Sequence, residues 1–286
     1  MHRNFGAGRG WLSYDVDAAA RTLSTGTAAK TPYMKNPIIE FCQVEYQIST
    51  ISEQPILSGV SLAIHRGETI VLLGRSGSGK TTLLKLINGL RQVSCGAVLV
   101  QGRDVREWDI IRLRRGIGYV IQETGLFPHL TVRENVCLVP QLENWPADRI
   151  SARYGEVLHS VGLSPSLYSN RYPRELSGGQ RQRVGVARAL AANPEILLMD
   201  EPFGALDPVT RAELQREFLA LSRNLSKTVV FVTHDVREAL LLGTRIILLD
   251  SGRVIAEATP HEFVRLAHPI AREFLAAAEL ATGAPA

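Results

Sequence analysis

From Ile38 onward, apolar residues come in short runs whose period keeps switching. Alternating or continuous runs of four to eight, rich in β-branched residues, read as strands, and recurrence at three and four reads as helices. On that reading Ile38–Val44 and Ser61–Ile64 are strands, and Thr69–Leu73 is a buried strand. A helix follows over Thr81–Asn88, then a strand over Gly118–Gln122. Residues from about 124 to 192 look helical, and both Thr131–Glu134 and Ser177–Gln180 fit the capping box that satisfies free N–H groups at a helix start. The pattern then gives a strand at 195–199, a helix at 208–223, a strand at 228–232 and a helix at 235–242. Two short strands at 245–250 and 253–258, a capped helix from Pro260 and an Ala-rich end complete the chain. Strands interleaved with helices predict an α/β domain with a mixed sheet. The helical block inserted between strands predicts a subdomain able to move against that sheet.

The first 33 residues lack this patterning. His2–Gly10 and Ser24–Lys30 are small and polar, with no apolar segment that would serve as a secretory signal. The sequence Met34-Lys-Asn-Pro-Ile-Ile-Glu-Phe41 opens the patterned part, so Met34 is a candidate start. Otherwise the segment is a flexible tail or a docked regulatory arm. The expected boundaries are a flexible tail over 1–36, one domain over 37–268 with its helical subdomain at about 123–192, and a short C-terminal tail over 269–286. No apolar run approaches the ~18–20 residues that cross a bilayer. Val229–Val232 and Ile246–Leu249 have the length of buried strands, so any membrane part would be another chain.

Composition changes this picture little. Of the 286 residues, 45% are hydrophobic, enough for a substantial core. Cys42, Cys95 and Cys137 are far apart and form no C-x-x-C pair, which fits reduced thiols better than a disulfide frame or a zinc site. The net charge of +4 reads first as a solvated surface, and second as a mild preference for anionic nucleotide or an inner membrane surface.

The chemistry lies at the ends of the strands. Gly74-Arg75-Ser76-Gly77-Ser78-Gly79-Lys80-Thr81, followed by Thr82, sits between an apolar strand and a helix. Its glycines let backbone N–H groups cradle phosphate oxygens at a helix N-terminus. Lys80 is suited to the β- and γ-phosphates and the Thr81 hydroxyl to Mg²⁺. The strand Ile196–Met199 ends in Asp200 and Glu201. Two acids at a strand end are usually surface charge, but beside a phosphate loop Asp200 suits the metal shell and Glu201 suits a general base for an attacking water. Between these motifs stands Leu176-Ser177-Gly178-Gly179-Gln180, which opens a helix whose first amides have no internal partners.

This set of motifs, in this order, resembles the ATP-binding subunit of an ABC transporter, over nearly everything from Ile38 to Ala267. The resemblance implies a P-loop NTPase of the ABC ATPase type: a mixed sheet core, an inserted helical subdomain and an antiparallel β subdomain. It implies a head-to-tail homodimer in which Ser177, Gly178, Gly179 and Gln180 of one subunit close over ATP and Mg²⁺ held at Lys80 of the other. It makes Gln122 the glutamine that senses Mg²⁺ and γ-phosphate, His234 the switch histidine, and Asp207, within Ala205-Leu-Asp207, part of the loop crossing the dimer interface. Tyr46 falls where the family places an aromatic to stack on adenine, with a half-buried strand tyrosine as the plainer reading. His129, in Phe127-Pro-His-Leu130, belongs to a structural or docking loop.

Within the family, Ile117–Gln122 continuing through Gly125–His129 to Val139–Trp145 resembles the importer branch for osmoprotectants such as glycine betaine, choline and carnitine. That implies integral-membrane permease subunits, an extracytoplasmic substrate-binding protein, a peripheral place on the cytoplasmic face of the inner membrane, and no nucleic acid. Fewer than about thirty residues follow Thr259, too few for the regulatory modules that many members of that branch carry. Other solutes or an exporter cassette share the core motifs. A DNA- or ribosome-acting ATPase would carry two cassettes or a long coiled coil, and a small-molecule kinase has no use for Leu-Ser-Gly-Gly-Gln.

Overall fold

The structure, a computed structural model, describes residues 36–48, 54–122, 124–225 and 227–282. The chain divides into two units, Met1–Lys35 and Asn36–Ala286. The expectations about Met34 and the residues before it lie outside the described residues.

Three continuous apolar strands form the centre: β3 (Thr69–Gly74), β8 (Thr228–Thr233) and β9 (Arg245–Asp250). They read as unbroken hydrophobic runs because both faces are covered. Side chains on a strand alternate between faces, so Val71, Leu73, Val229, Phe231, Ile246 and Leu248 enter one core. Their neighbours Ile70, Leu72, Val230, Val232, Ile247 and Leu249 enter a second. With β6 (Ile117–Val120), β7 (Ile196–Asp200) and β10 (Arg253–Ala258) these strands form a sheet ordered β10-β9-β3-β8-β7-β6. Pairings from β9 to β6 are parallel, and β10 adds antiparallel to β9. The mixed sheet predicted from periodicity is present.

A second, antiparallel sheet runs β2-β1-β4-β5, from β1 (Ile39–Tyr46), β2 (Leu57–Ile64), β4 (Cys95–Val100) and β5 (Arg103–Asp104). The apolar pattern gives β1 and part of β2 but misses β4. Only Val98 and Val100 of that strand face the core, and Gly96 interrupts it. Gly96 has φ +80°, and a Cβ there would stand 2.3 Å from the Gln43 carbonyl oxygen. The β1–β4 pairing shifts register at this point, so the strand is bulged where its sequence looks weakest. The helix Ile110–Arg115 is also missed, because it spans only six residues and its apolar Ile111 faces outward while Leu113 alone is buried.

Helix α1 (Lys80–Ile87) leaves β3 and buries Leu83, Leu84, Leu86 and Ile87. Helix α2 is Ile110–Arg115. The inserted block holds α3 (Val132–Leu142), α4 (Ala147–Ser160), α5 (Pro165–Tyr168) and α6 (Gly178–Ala191). Both predicted capping boxes, Thr131 with Glu134 and Ser177 with Gln180, are formed. After β7 come α7 (Pro208–Leu225), α8 (Val236–Leu242), α9 (Pro260–Phe263) and α10 (Pro269–Thr282). The described part of the Ala-rich end, set apart as a short tail, is thus the helix Pro269–Thr282, and its Ala271 is fully buried in the first core.

Asn135, completely buried, organises the entry to the helical block. Its side-chain amide donates to the carbonyls of Phe127, Leu130 and Thr131 at 3.0–3.1 Å, and its oxygen accepts from Phe127 N at 2.8 Å. Replacing Asn135 by Ala strands those backbone groups, so chemical denaturation should show stability lowered by about 3 kcal/mol, with the damage centred on residues 127–131 in hydrogen exchange.

Candidate functional site

The loop between β3 and α1 is shaped by what its neighbours forbid. A Cβ on Gly74 would lie 2.4 Å from the Leu249 carbonyl oxygen, and one on Gly79 would lie 2.6 Å from the Leu57 side chain. Gly79 also has φ +99° and is the residue before α1, with no side chain capping the helix. The first amides of α1 are thus left for an external anion. Gly77, at φ +80°, Arg75 and Ser76 are exposed, Ser78 is buried with its hydroxyl unpartnered, and Thr82 is half-buried.

Lys80 is only 5% exposed, and its ammonium donates to the carbonyls of Gly74 and Arg75, both at 2.8 Å. Burial pulls its pKa down, opposed by the carboxylates of Glu201 and Asp200. Thr81 Oγ1 donates to Asp200 Oδ1 at 2.8 Å. Burial pushes the Asp200 carboxyl above its ordinary range, while the Thr81 hydrogen bond draws it back.

Glu201 follows the end of β7 with φ +43°, and its N–H donates to the Val232 carbonyl at 3.0 Å. That left-handed turn swings its carboxylate into a polar cluster. Gln122 Nε2 stands 3.5 Å from Glu201 Oε2, and His234 Nδ1 stands 3.3 Å from the same oxygen. Gln122 lies just beyond β6, not within it. The structure therefore gathers Lys80, Thr81, Gln122, Asp200, Glu201 and His234 at the carboxyl ends of the parallel strands.

Three predicted groups do not join this cluster. Ser177 caps α6, accepting from Gln180 N at 3.2 Å, while Gln180 returns a bond to Ser177 N at 2.9 Å. Gly178 is exposed, and Gly179 packs so closely on α7 that a Cβ would meet Thr210 at 2.6 Å. Among the described residues, no hydrogen bond links 177–180 to the 74–82 loop. Asp207 caps α7, accepting from Val209 N and Thr210 N at 3.2 and 3.0 Å. These bonds, that to Thr210 first, hold its carboxyl below the usual range.

Tyr46 is not presented as a stacking platform. Its ring is 8% exposed within the second core, and its hydroxyl accepts from Arg91 Nη1 at 2.9 Å. Arg91 lies past the end of α1, where the chain turns back and its N–H donates to the Lys85 carbonyl at 3.1 Å. The plainer reading, a core tyrosine, is the one the structure supports.

Sequence reasoning also missed side chains that shape the site. Tyr119 sits beside Asp200, and burial first, then the carboxylate, push its phenol well above the ordinary value. Glu238 is buried beneath the His234 turn. Arg188 of α6 holds the segment after Gln122, donating to the carbonyls of Gly125 and Thr124 at 2.7 and 2.9 Å. Only apolar residues next to polar ones marked these positions, and no motif singled them out.

The sequence matches the ABC transporter family over residues 57–204. The chain belongs to that family. It is 49% identical to the glycine betaine/carnitine/choline transport ATP-binding protein OpuCA of Bacillus subtilis, over 80% of this chain and 60% of that protein. The glycine betaine uptake system ATP-binding protein YehX of Escherichia coli is 46% identical over 85% of this chain and 78% of its own length. The chain spans 55–60% of the length of the first curated relatives it matches. Among solved structures, the dimeric post-hydrolysis state of the ATP-binding cassette MJ0796, bound to ADP and Pi, covers 78% of this chain and 98% of its own, with TM-score 0.70 and 35% identity. The ATPase cassette fold, with its sheet, antiparallel subdomain and helical subdomain, is thus shared.

The oxygens of Thr81 and Asp200, with the Gln122 amide oxygen, suit Mg²⁺, a hard cation that takes one or two protein ligands and shares substrate phosphates. When bound, the ion neutralises phosphate oxygens. Because the folded pKa of Asp200 is raised, folding favours its protonated form, and its ionisation lowers stability as pH rises above the ordinary carboxylate range. Asp200→Asn should therefore melt higher than wild type at pH 7 without ligand, with the gap closing as pH falls. With Mg²⁺ and nucleotide the wild type should gain more melting temperature than Asp200→Asn, and differential scanning calorimetry measures both.

Proposed function

We propose that the chain is the ATP-hydrolysing subunit of an ABC importer for quaternary-amine osmoprotectants of the glycine betaine, choline and carnitine class. The observation that carries the ATPase reading is a division within one chain. Lys80, Thr81, Asp200 and Glu201 gather at one place, while the exposed N-terminus of α6 at Ser177 makes no hydrogen bond to them. A second copy arranged head to tail supplies the missing half. Lys80 and the amides of α1 hold the nucleotide phosphates, Thr81 and Asp200 hold Mg²⁺, and Ser177 and Gly179 of the partner close over the γ-phosphate. Glu201 accepts the proton of the attacking water, Gln122 orients around the same carboxylate, and His234 contacts the γ-phosphate. Asp207 lies on the loop that meets the partner.

The substrate class rests on relatives whose names specify glycine betaine, carnitine and choline transport. The permease would dock beside the helical block, where Phe127 is 42% exposed on a loop held by Asn135 and Arg188. No helix of the described residues is long and apolar enough to cross a membrane. In the proposed importer the membrane subunits are other chains, with an extracytoplasmic binding protein delivering cargo.

In the purified protein, Glu201→Gln should keep ATP affinity while lowering kcat by about 10²–10⁴-fold, and hydrolysis at the wild-type rate would remove Glu201 from the role of base. Cells lacking the chain should regain uptake of labelled glycine betaine or choline with wild type and not with Glu201→Gln. Retained hydrolysis without restored uptake would discard the substrate class alone.

A further inference from the structure

The His234 side chain is 61% exposed, and its Nδ1 stands 3.3 Å from Glu201 Oε2. With most of the ring exposed, its direction depends chiefly on the backbone of residues 233–235. That backbone is tied down from below. Thr233 Oγ1 accepts from Asp235 N at 3.0 Å and donates to Glu238 Oε2 at 2.5 Å. The other carboxylate oxygen of Glu238 accepts from Gln215 Nε2 of α7 at 2.8 Å. One turn earlier on α7, Arg211 donates to the carbonyls of Leu206 and Gly204 at 3.1 and 3.3 Å. Arg211, Glu238, His234 and Glu201 line one small cleft.

Glu238 is only 5% exposed, and both carboxylate oxygens are used. A buried acid is costly unless it is fully hydrogen-bonded, and here each donor belongs to an element that carries part of the reaction. Thr233 precedes His234. Gln215 shares its helix with Arg211, which holds the loop ending at Asp207. The result is a bridge between the histidine turn and the loop facing the second copy. Burial pushes the Glu238 carboxyl up, while the bonds from Thr233 and Gln215 and the nearby Arg211 charge support the ionised form.

We infer that Glu238 is a positioning residue for hydrolysis: it fixes the His234 turn relative to the 203–207 loop through Thr233 on one side and α7 on the other. This rests on the ATPase reading above. Glu238 touches no nucleotide, so its removal should act on turnover and leave binding nearly unchanged.

The test is steady-state hydrolysis by the purified full chain, with nucleotide affinity and melting temperature measured on the same samples. Misplacing a reacting group by about 1 Å costs up to ~10²-fold, so Glu238→Ala should lower kcat by about 10–100-fold with the KM for ATP changed less than about threefold. Glu238→Gln should recover most of the rate, because its amide oxygen still accepts from Thr233 and the Gln215 amide can turn to accept from it. If the effect runs through the histidine, Glu238→Ala should cost little further kcat in a His234→Ala background, since residues acting as one unit are not additive. Thr233→Val, which removes the same link with little change of shape, should reproduce the pattern if the alanine variant does not fold. Overturning results are a kcat within twofold of wild type, an equal loss in kcat and ATP affinity, or the same additional factor in the His234→Ala background. A wild-type chain that does not hydrolyse ATP would instead remove the reading on which the inference stands.

Discussion

The structure is organised around a buried ammonium that its own chain only half satisfies. Lys80 is 5% exposed and is held by two carbonyls of the loop it closes, and among the described residues no carboxylate forms an ion pair with it. A buried cation with no carboxylate in direct contact is expensive, and burial depresses its pKa, opposed by the nearby carboxylates of Glu201 and Asp200. That cost is offset when an anion enters beside it, where the uncapped amides of α1 also point. The surrounding fold keeps this arrangement from relaxing. The backbone of β9 at Leu249 and the side chain of Leu57 leave no space for a side chain at Gly74 or Gly79.

Keeping a charge buried demands rigid walls, and the two-core sheet provides them. Because β3, β8 and β9 send alternate residues into opposite cores, the strand ends carrying Gly74, Thr233 and Leu249 are fixed from both faces. Asp200 and Glu201 arrive at the same level because β7 is parallel to β8 in register, with Asp200 opposite Val232. The Glu201 N–H then takes the Val232 carbonyl and turns the chain through a left-handed residue. The acids, the lysine and the histidine are neighbours because four strands end together, not because they are near in sequence. The α6 terminus has no such tie to the loop. It is stabilised by the Ser177–Gln180 box and by close packing of Gly179 on Thr210 of α7. This leaves the exposed helix end at Ser177 and Gly178 free of the phosphate loop of its own chain.

Much of this was legible in the sequence wherever burial forces a pattern. Thr69–Leu73, 228–232 and Ile246–Leu249 read as strands because both faces are apolar, and the capping boxes at Thr131 and Ser177 read directly from residue type and spacing. The phosphate loop and Asp200–Glu201 read from glycine placement and strand context. Illegible parts were those where the backbone departs from regularity or a polar side chain acts at long range. Gly96 hides β4 because close approach to Gln43 requires a residue that weakens the strand signal. Tyr46 illustrates the limit of position along the chain: spacing suited an adenine platform, yet its side chain turns into the core and its hydroxyl is bound by Arg91. Glu238 and Gln215 are separated by 23 positions and meet only because α7 and α8 pack side by side.

The central claim is that one chain holds half of each nucleotide site and a second copy completes it. The most direct measurement is the sedimentation mass of the full-length Glu201→Gln protein with and without Mg²⁺ and ATP, repeated with Ser177→Arg added. The account predicts a monomer that becomes a dimer on adding ATP, and a Ser177→Arg variant that still binds ATP through Lys80 but stays monomeric. A mass unchanged by ATP, or an ATP-dependent dimer that forms equally well with Ser177→Arg, would contradict it.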